Sequence, residues 1–121
     1  MAKTVLIADD SAMIRKKLCE ILLADEGYEV CAEAANGEEA IALAKKHRPD
    51  LIILDLSMPV MNGLDAARVL KRVMPEVPII LFTLHTEACK QLPEIGQLVD
   101  LVVAKNDMVT LLSQVRALVP A

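Results

Sequence analysis

The chain has 121 residues, 55% of them hydrophobic and 25% charged, which is enough for one compact domain with its own core. A formal charge of −4 with scattered Lys and Arg excludes a nucleic-acid surface, which needs clustered cations. Tyr28 and Phe82 are its only aromatic residues, which removes base-stacking platforms, and no apolar run reaches the roughly 18 residues of a membrane span. A soluble cytoplasmic protein with no membrane or nucleic-acid partner is expected.

Thr4 to Ala8 reads as a short apolar strand running into Asp9-Asp10, after which Ser11 caps a helix with Ile14, Leu18, Ile21 and Leu22 on one face. Gly27 ends that helix. Tyr28 to Ala34 is the second strand, and Asn36-Gly37 opens a helix carrying Ala40, Ile41, Leu43 and Ala44. Leu51 to Leu54 is an unbroken apolar run, as expected for a strand buried on both faces of a parallel sheet, and it ends on Asp55. A loop from Leu56 to Asn62 leads through Gly63 into a helix that points Leu64, Ala67, Leu70, Val73 and Met74 inward.

Val77 to Phe82 gives a fourth strand ending at Thr83, followed after Thr86 by a weak helix that Pro93 should shorten or kink. Leu98 to Ala104 reads as the fifth strand, ending at Lys105. Asn106 or Asp107 can then cap a last helix, with Met108, Leu111, Leu112, Val115 and Leu118 at helical spacing. Five strands alternating with five helices through short connections predict a doubly wound α/β sheet of parallel strands with helices on both faces. These ten elements use up residues 1–121, so a single domain without an output domain is expected.

Cys19, Cys31 and Cys89 have neither CxxC nor CxH spacing, and His47 and His85 have no second ligand nearby in sequence, so the cysteines read as free thiols and neither histidine signals a metal. The polar residues at the strand ends are more informative. Asp9, Asp10, Asp55, Thr83 and Lys105 follow the first, third, fourth and fifth strands, at the sheet edge where open α/β folds bind ligands. Each alone has a plainer explanation: a helix start, a turn former, a satisfied hydroxyl, a surface charge. Four strand ends agreeing outweigh those explanations.

With strand order 2-1-3-4-5, the first and third strands are neighbours and three carboxylates converge. Like charges that close hold a proton or bind a cation. Mg²⁺ fits, because it takes oxygen ligands and is usually held by one or two carboxylates together with phosphate oxygens, here Asp10 and Asp55.

The segments ADDS at Asp9, LDLSMPVMNG around Asp55, FT at Thr83 and VAK at Lys105 resemble, in order and spacing, the receiver domain of two-component response regulators over essentially the whole chain. The resemblance implies that Asp55 takes a phosphoryl group from a histidine kinase or histidine phosphotransfer protein. It implies that Asp9 and Asp10 are the acid pair for Mg²⁺, and that Ser57 lends the metal its backbone carbonyl. Thr83 matches the hydroxyl that bonds a phosphoryl oxygen, and Lys105 the ammonium that pairs with the phosphate. Such a domain is no enzyme on other substrates; it signals by binding a protein target, or a second copy of itself, according to its phosphorylation state.

Four positions depart from that pattern. Val102 stands where the family usually has a switch aromatic, and Leu84 where a small residue commonly leaves the phosphorylation site open. Asn106 replaces the common Pro after Lys105, and Pro93 falls within the fourth helix. A receiver-like interaction scaffold that switches weakly is the alternative these departures suggest. A phosphatase of the haloacid dehalogenase type is disfavoured, since position 57 is Ser rather than Asp and Asp55 lies mid-chain. A flavodoxin-like FMN site is disfavoured by the acidic first loop.

Overall fold

The apolar runs form five parallel strands, β1 (Lys3–Ala8), β2 (Tyr28–Ala34), β3 (Leu51–Asp55), β4 (Ile79–Thr83) and β5 (Leu101–Ala104), in a computed structural model describing residues 1–121. Their order in the sheet is β2-β1-β3-β4-β5, as the sequence predicts. Every residue of β3 and of β4 is buried, which is why these segments are continuously apolar rather than alternating.

Side chains alternate between the two faces of the sheet, so each strand feeds two cores. Leu6, Ile52, Leu54, Ile79 and Leu81 enter one. Val5, Leu51, Ile53, Ile80 and Phe82 enter the other. The first core is covered by α2 (Gly37–His47) and α3 (Gly63–Val73), whose Ala40, Ala44, Ala66 and Ala67 let the helix backbones approach the sheet closely. The second is covered by α1 (Ala12–Leu23) and the C-terminal helix α6 (Leu111–Leu118) through Leu18, Leu22, Leu111 and Val115. Tyr28 is buried in that second core and donates its hydroxyl to the Val119 carbonyl at 2.6 Å, holding the C-terminal segment to the start of β2.

The first three helix starts are capped as their sequences suggest. Ser11 accepts from the Ile14 N–H at 3.3 Å, Asn36 from Glu39 at 2.8 Å and Asn62 from Asp65 at 2.9 Å. The structure differs from expectation beyond β4. There are six helices instead of five, because the segment after Thr86 is split into α4 (Thr86–Lys90) and α5 (Ile95–Leu98), with Pro93 between them. Leu98 and Val99 are buried at the end of α5, so β5 starts at Leu101 rather than Leu98. The last helix begins at Leu111, several residues after Asn106 and Asp107, with no side-chain cap at Thr110. The cysteines are free, with only Cys89 fully buried. No helix is long and apolar enough to cross a membrane.

Candidate functional site

The carboxyl ends of the central strands open onto a cavity of about 300 Å³ lined by Asp10, Asp55, Ser57, Thr83, Leu84, His85 and Lys105. β1 delivers Asp9 and Asp10, β3 ends on Asp55, β4 on Thr83, and Lys105 follows β5 directly. Carboxylate oxygens of Asp9, Asp10 and Asp55 lie within 4.8 Å of one another. Asp9 and Asp55 are buried, whereas Asp10 is exposed at the rim.

The position of Asp9 is fixed from several sides. Its N–H donates to the Ala34 carbonyl at 3.0 Å, extending the β1–β2 ladder by one residue. Its Oδ1 accepts from the Ser11 N–H at 2.9 Å, and its backbone carbonyl accepts from Arg15 Nη1 at 2.7 Å. The Lys105 ammonium sits between two carboxylates, 2.8 Å from Asp9 Oδ2 and 3.0 Å from Asp55 Oδ1. Buried Asp9 Oδ2 receives this charge at ion-pair distance but no directed hydrogen bond, which leaves it short of a donor or a cation.

Burial raises the pKa of Asp55 above the usual carboxylate range; a hydrogen bond from Lys105 opposes the shift and the Asp9 charge adds to it. The Lys105 pKa is also raised: burial pulls it down, but the close pairing with the Asp9 and Asp55 carboxylates outweighs that pull. One ammonium therefore faces more negative charge than it neutralises. An undersupplied carboxylate cluster at a cavity, with one buried oxygen lacking a donor, fits a hard divalent cation of the Mg²⁺ type.

Asp55 is also held from behind. A side chain at Gly63 would collide with the Asp55 carbonyl oxygen, so the first turn of α3 can lie against the loop after Asp55 only as glycine. The Gly63 N–H donates to the Leu56 carbonyl at 2.8 Å, closing that loop. Across the cavity the Thr83 hydroxyl oxygen accepts from the His85 N–H at 3.0 Å, leaving its own proton free for the cavity.

All six residues singled out from sequence, Asp9, Asp10, Asp55, Ser57, Thr83 and Lys105, thus meet at one edge, five of them lining the cavity and Asp9 just beneath. Leu84, 66% exposed, is the one hydrophobic side chain of the lining. Val102 is half-buried on β5, packed against the first core. Two residues escaped the sequence reading. His85 has no second ligand nearby in sequence, and Arg15 lies inside an Arg-Lys-Lys run with nothing to set it apart.

Fold and site together define a phosphorylation-type α/β domain, and the chain belongs to the response regulator receiver domain family, whose model matches residues 5–116. Over 83 residues, 69% of this chain, it is 49% identical to the protein-glutamate methylesterase/protein-glutamine glutaminase of Pyrococcus abyssi, of which the match covers 22%. It is 43% identical over 81 residues to the chemotaxis protein CheY of Thermotoga maritima, covering 67% of each chain. Among solved structures it superposes on one chain of the CheX–CheY–BeF3–Mg²⁺ complex from Borrelia burgdorferi with a TM-score of 0.84 at 28% identity, covering 95% of this chain and 87% of that one. The chain therefore spans about a fifth of the length of the methylesterase.

Proposed function

We propose that this chain accepts a phosphoryl group on the Asp55 carboxylate from a phosphohistidine of a histidine kinase or histidine phosphotransfer protein. The observation that carries the reading is the cluster of Asp9, Asp10 and Asp55 around a single ammonium, Lys105, at the edge of the cavity. Asp10, Asp55 and the backbone carbonyl of Ser57 would hold Mg²⁺, with Asp9 beside them. When bound, the metal supplies positive charge to the phosphoryl oxygens and offsets the crowded carboxylates.

The rest of the work falls to the chain. A carboxylate oxygen of Asp55 attacks phosphorus as the bond to the donor nitrogen breaks, giving an acyl phosphate and a free imidazole. The Lys105 ammonium neutralises charge on the transferring group, and the Thr83 hydroxyl donates its free proton to a phosphoryl oxygen. Water then hydrolyses the acyl phosphate, so the signal limits itself. The phosphorylated form would bind a protein target or a second copy of the chain. Chemistry stays on Asp55 itself, with no turnover of other substrates, and the cytoplasm is the compartment of such a relay. CheY in complex with CheX, BeF3 and Mg²⁺ lends support by analogy.

The test is intact mass after incubation with Mg²⁺ and a small phosphodonor. Wild type gains one phosphoryl group, and Asp55→Asn gains none. Absence of any gain, together with no binding of beryllium fluoride, rejects the proposal.

A further inference from the structure

Arg15 does something a surface arginine on a helix does not. It lies in the first turn of α1, where its own N–H donates to the Ser11 carbonyl at 3.1 Å, and its side chain turns back under the acidic loop. Nη1 donates to the Asp9 backbone carbonyl at 2.7 Å while Nε pairs with Glu33 Oε1 on β2 at 3.1 Å. The side chain is only 20% exposed.

The Asp9 carbonyl needs this donor. The ladder from β1 to β2 ends at the Asp9 N–H, beyond which the chain turns into α2, Ala35 donating its N–H to Glu39 Oε1 at 2.9 Å and Asn36 capping the helix. No backbone N–H bonds the Asp9 carbonyl; the guanidinium does. That carbonyl belongs to the peptide linking Asp9 to Asp10, so whatever fixes its direction also fixes where the Asp10 carboxylate leaves the backbone. Asp10, exposed at the rim, has no hydrogen-bonded partner of its own to hold it in place.

We propose that Arg15 is a positioning residue for metal loading: clamped to β2 through Glu33, it orients the Asp9–Asp10 peptide so that the Asp10 carboxylate faces Asp55. The inference rests on the reading of this cluster as a Mg²⁺ site. Positioning and simple electrostatics predict opposite signs. A fixed cation near a dication site repels the dication, so on charge alone the loss of Arg15 tightens Mg²⁺ binding. If Arg15 acts by orienting a ligand, its loss weakens binding, as removal of an outer partner of a metal ligand does.

The experiment is calorimetric titration of the full chain with Mg²⁺ alone, comparing wild type, Arg15→Ala and Arg15→Lys, with urea midpoints taken without metal. Arg15→Ala is expected to bind about 10-fold more weakly. Arg15→Lys keeps the charge but not the planar fork that serves two acceptors at once, so it is expected to fall between the two. Should Arg15→Ala not fold, the wild type against Arg15→Lys comparison carries the test, since charge is constant across it. Variants that bind Mg²⁺ as tightly as wild type, or more tightly, overturn the inference even if their urea midpoints fall. Wild type that binds no Mg²⁺ overturns the metal reading and the inference with it.

Discussion

At the β1–β3 half of the sheet edge, Asp9 is gripped by Ala34, Ser11, Arg15 and Lys105, and Asp55 is backed by a glycine that admits no side chain. At the β4–β5 half, Leu84 and His85 stand exposed, and the helices that follow, α4, α5 and α6, all begin without a side-chain cap. The half that does chemistry is over-determined, because phosphoryl transfer depends on placing charges to a fraction of an ångström. The half that flanks the cavity mouth is held by packing and few directed bonds, which leaves it freer to respond to what happens at Asp55.

The largest effect should come from removing the cation that joins the two halves. Lys105→Met leaves Asp9 and Asp55 facing each other with no ammonium, and phosphoryl uptake from a small donor is expected to slow about 100-fold, read as the rate of mass gain. Uptake at the wild-type rate would show that Lys105 neutralises nothing in the transition state. Gly63→Ala comes next. The new methyl group meets the Asp55 carbonyl, so the β3–α3 connection must shift at a cost of about 2 kcal/mol in urea unfolding, with phosphorylation slowed as well. An Ala variant as stable as wild type would mean that this half is less rigid than its contacts imply.

Asp55→Asn probes the penalty built into the rigid half. Because burial raises the Asp55 pKa, the folded state keeps its proton to higher pH than the unfolded chain, and stability falls as pH rises through the folded pKa. Below the unfolded value that penalty is absent; above the folded pKa it is complete. The metal-free Asn variant should therefore be more stable at neutral pH, by on the order of 1 kcal/mol, with the gain shrinking as the solution is acidified. A gain that does not vary with pH would assign it to packing instead. The smallest effect belongs to the looser half: Leu84→Ala opens the mouth, and the acyl phosphate should hydrolyse a few times faster, followed by loss of phosphorylated mass. Unchanged hydrolysis would remove Leu84 from any screening role.

The same division decides what the sequence reveals. Strands β1, β3 and β4 are legible because a strand buried on both faces must be apolar throughout, and α1 to α3 because Ser11, Asn36 and Asn62 announce their starts. The site is legible because its residues are fixed by position at strand ends. Past β4 these signals fail. Leu98 and Val99 continue an apolar run that periodicity cannot divide between α5 and β5, and only burial in the folded molecule assigns them. Pro93 signals a break but not that two separate helices result, and α6 starts where packing of Leu111 holds it rather than at a capping residue. Arg15 and His85 were opaque for another reason: each acts through a backbone group, and sequence carries no mark of which carbonyl or amide a side chain will meet.

On this reading Asp55 receives the phosphoryl group in a metal-dependent pocket. Its most direct test is to phosphorylate the protein with a small donor, with Mg²⁺ and with a chelator, and to map the modified residue by peptide mass spectrometry. One modified site is expected, Asp55, labelled only when Mg²⁺ is present. Labelling at another residue, or equal labelling of Asp55 in the presence of chelator, would contradict it.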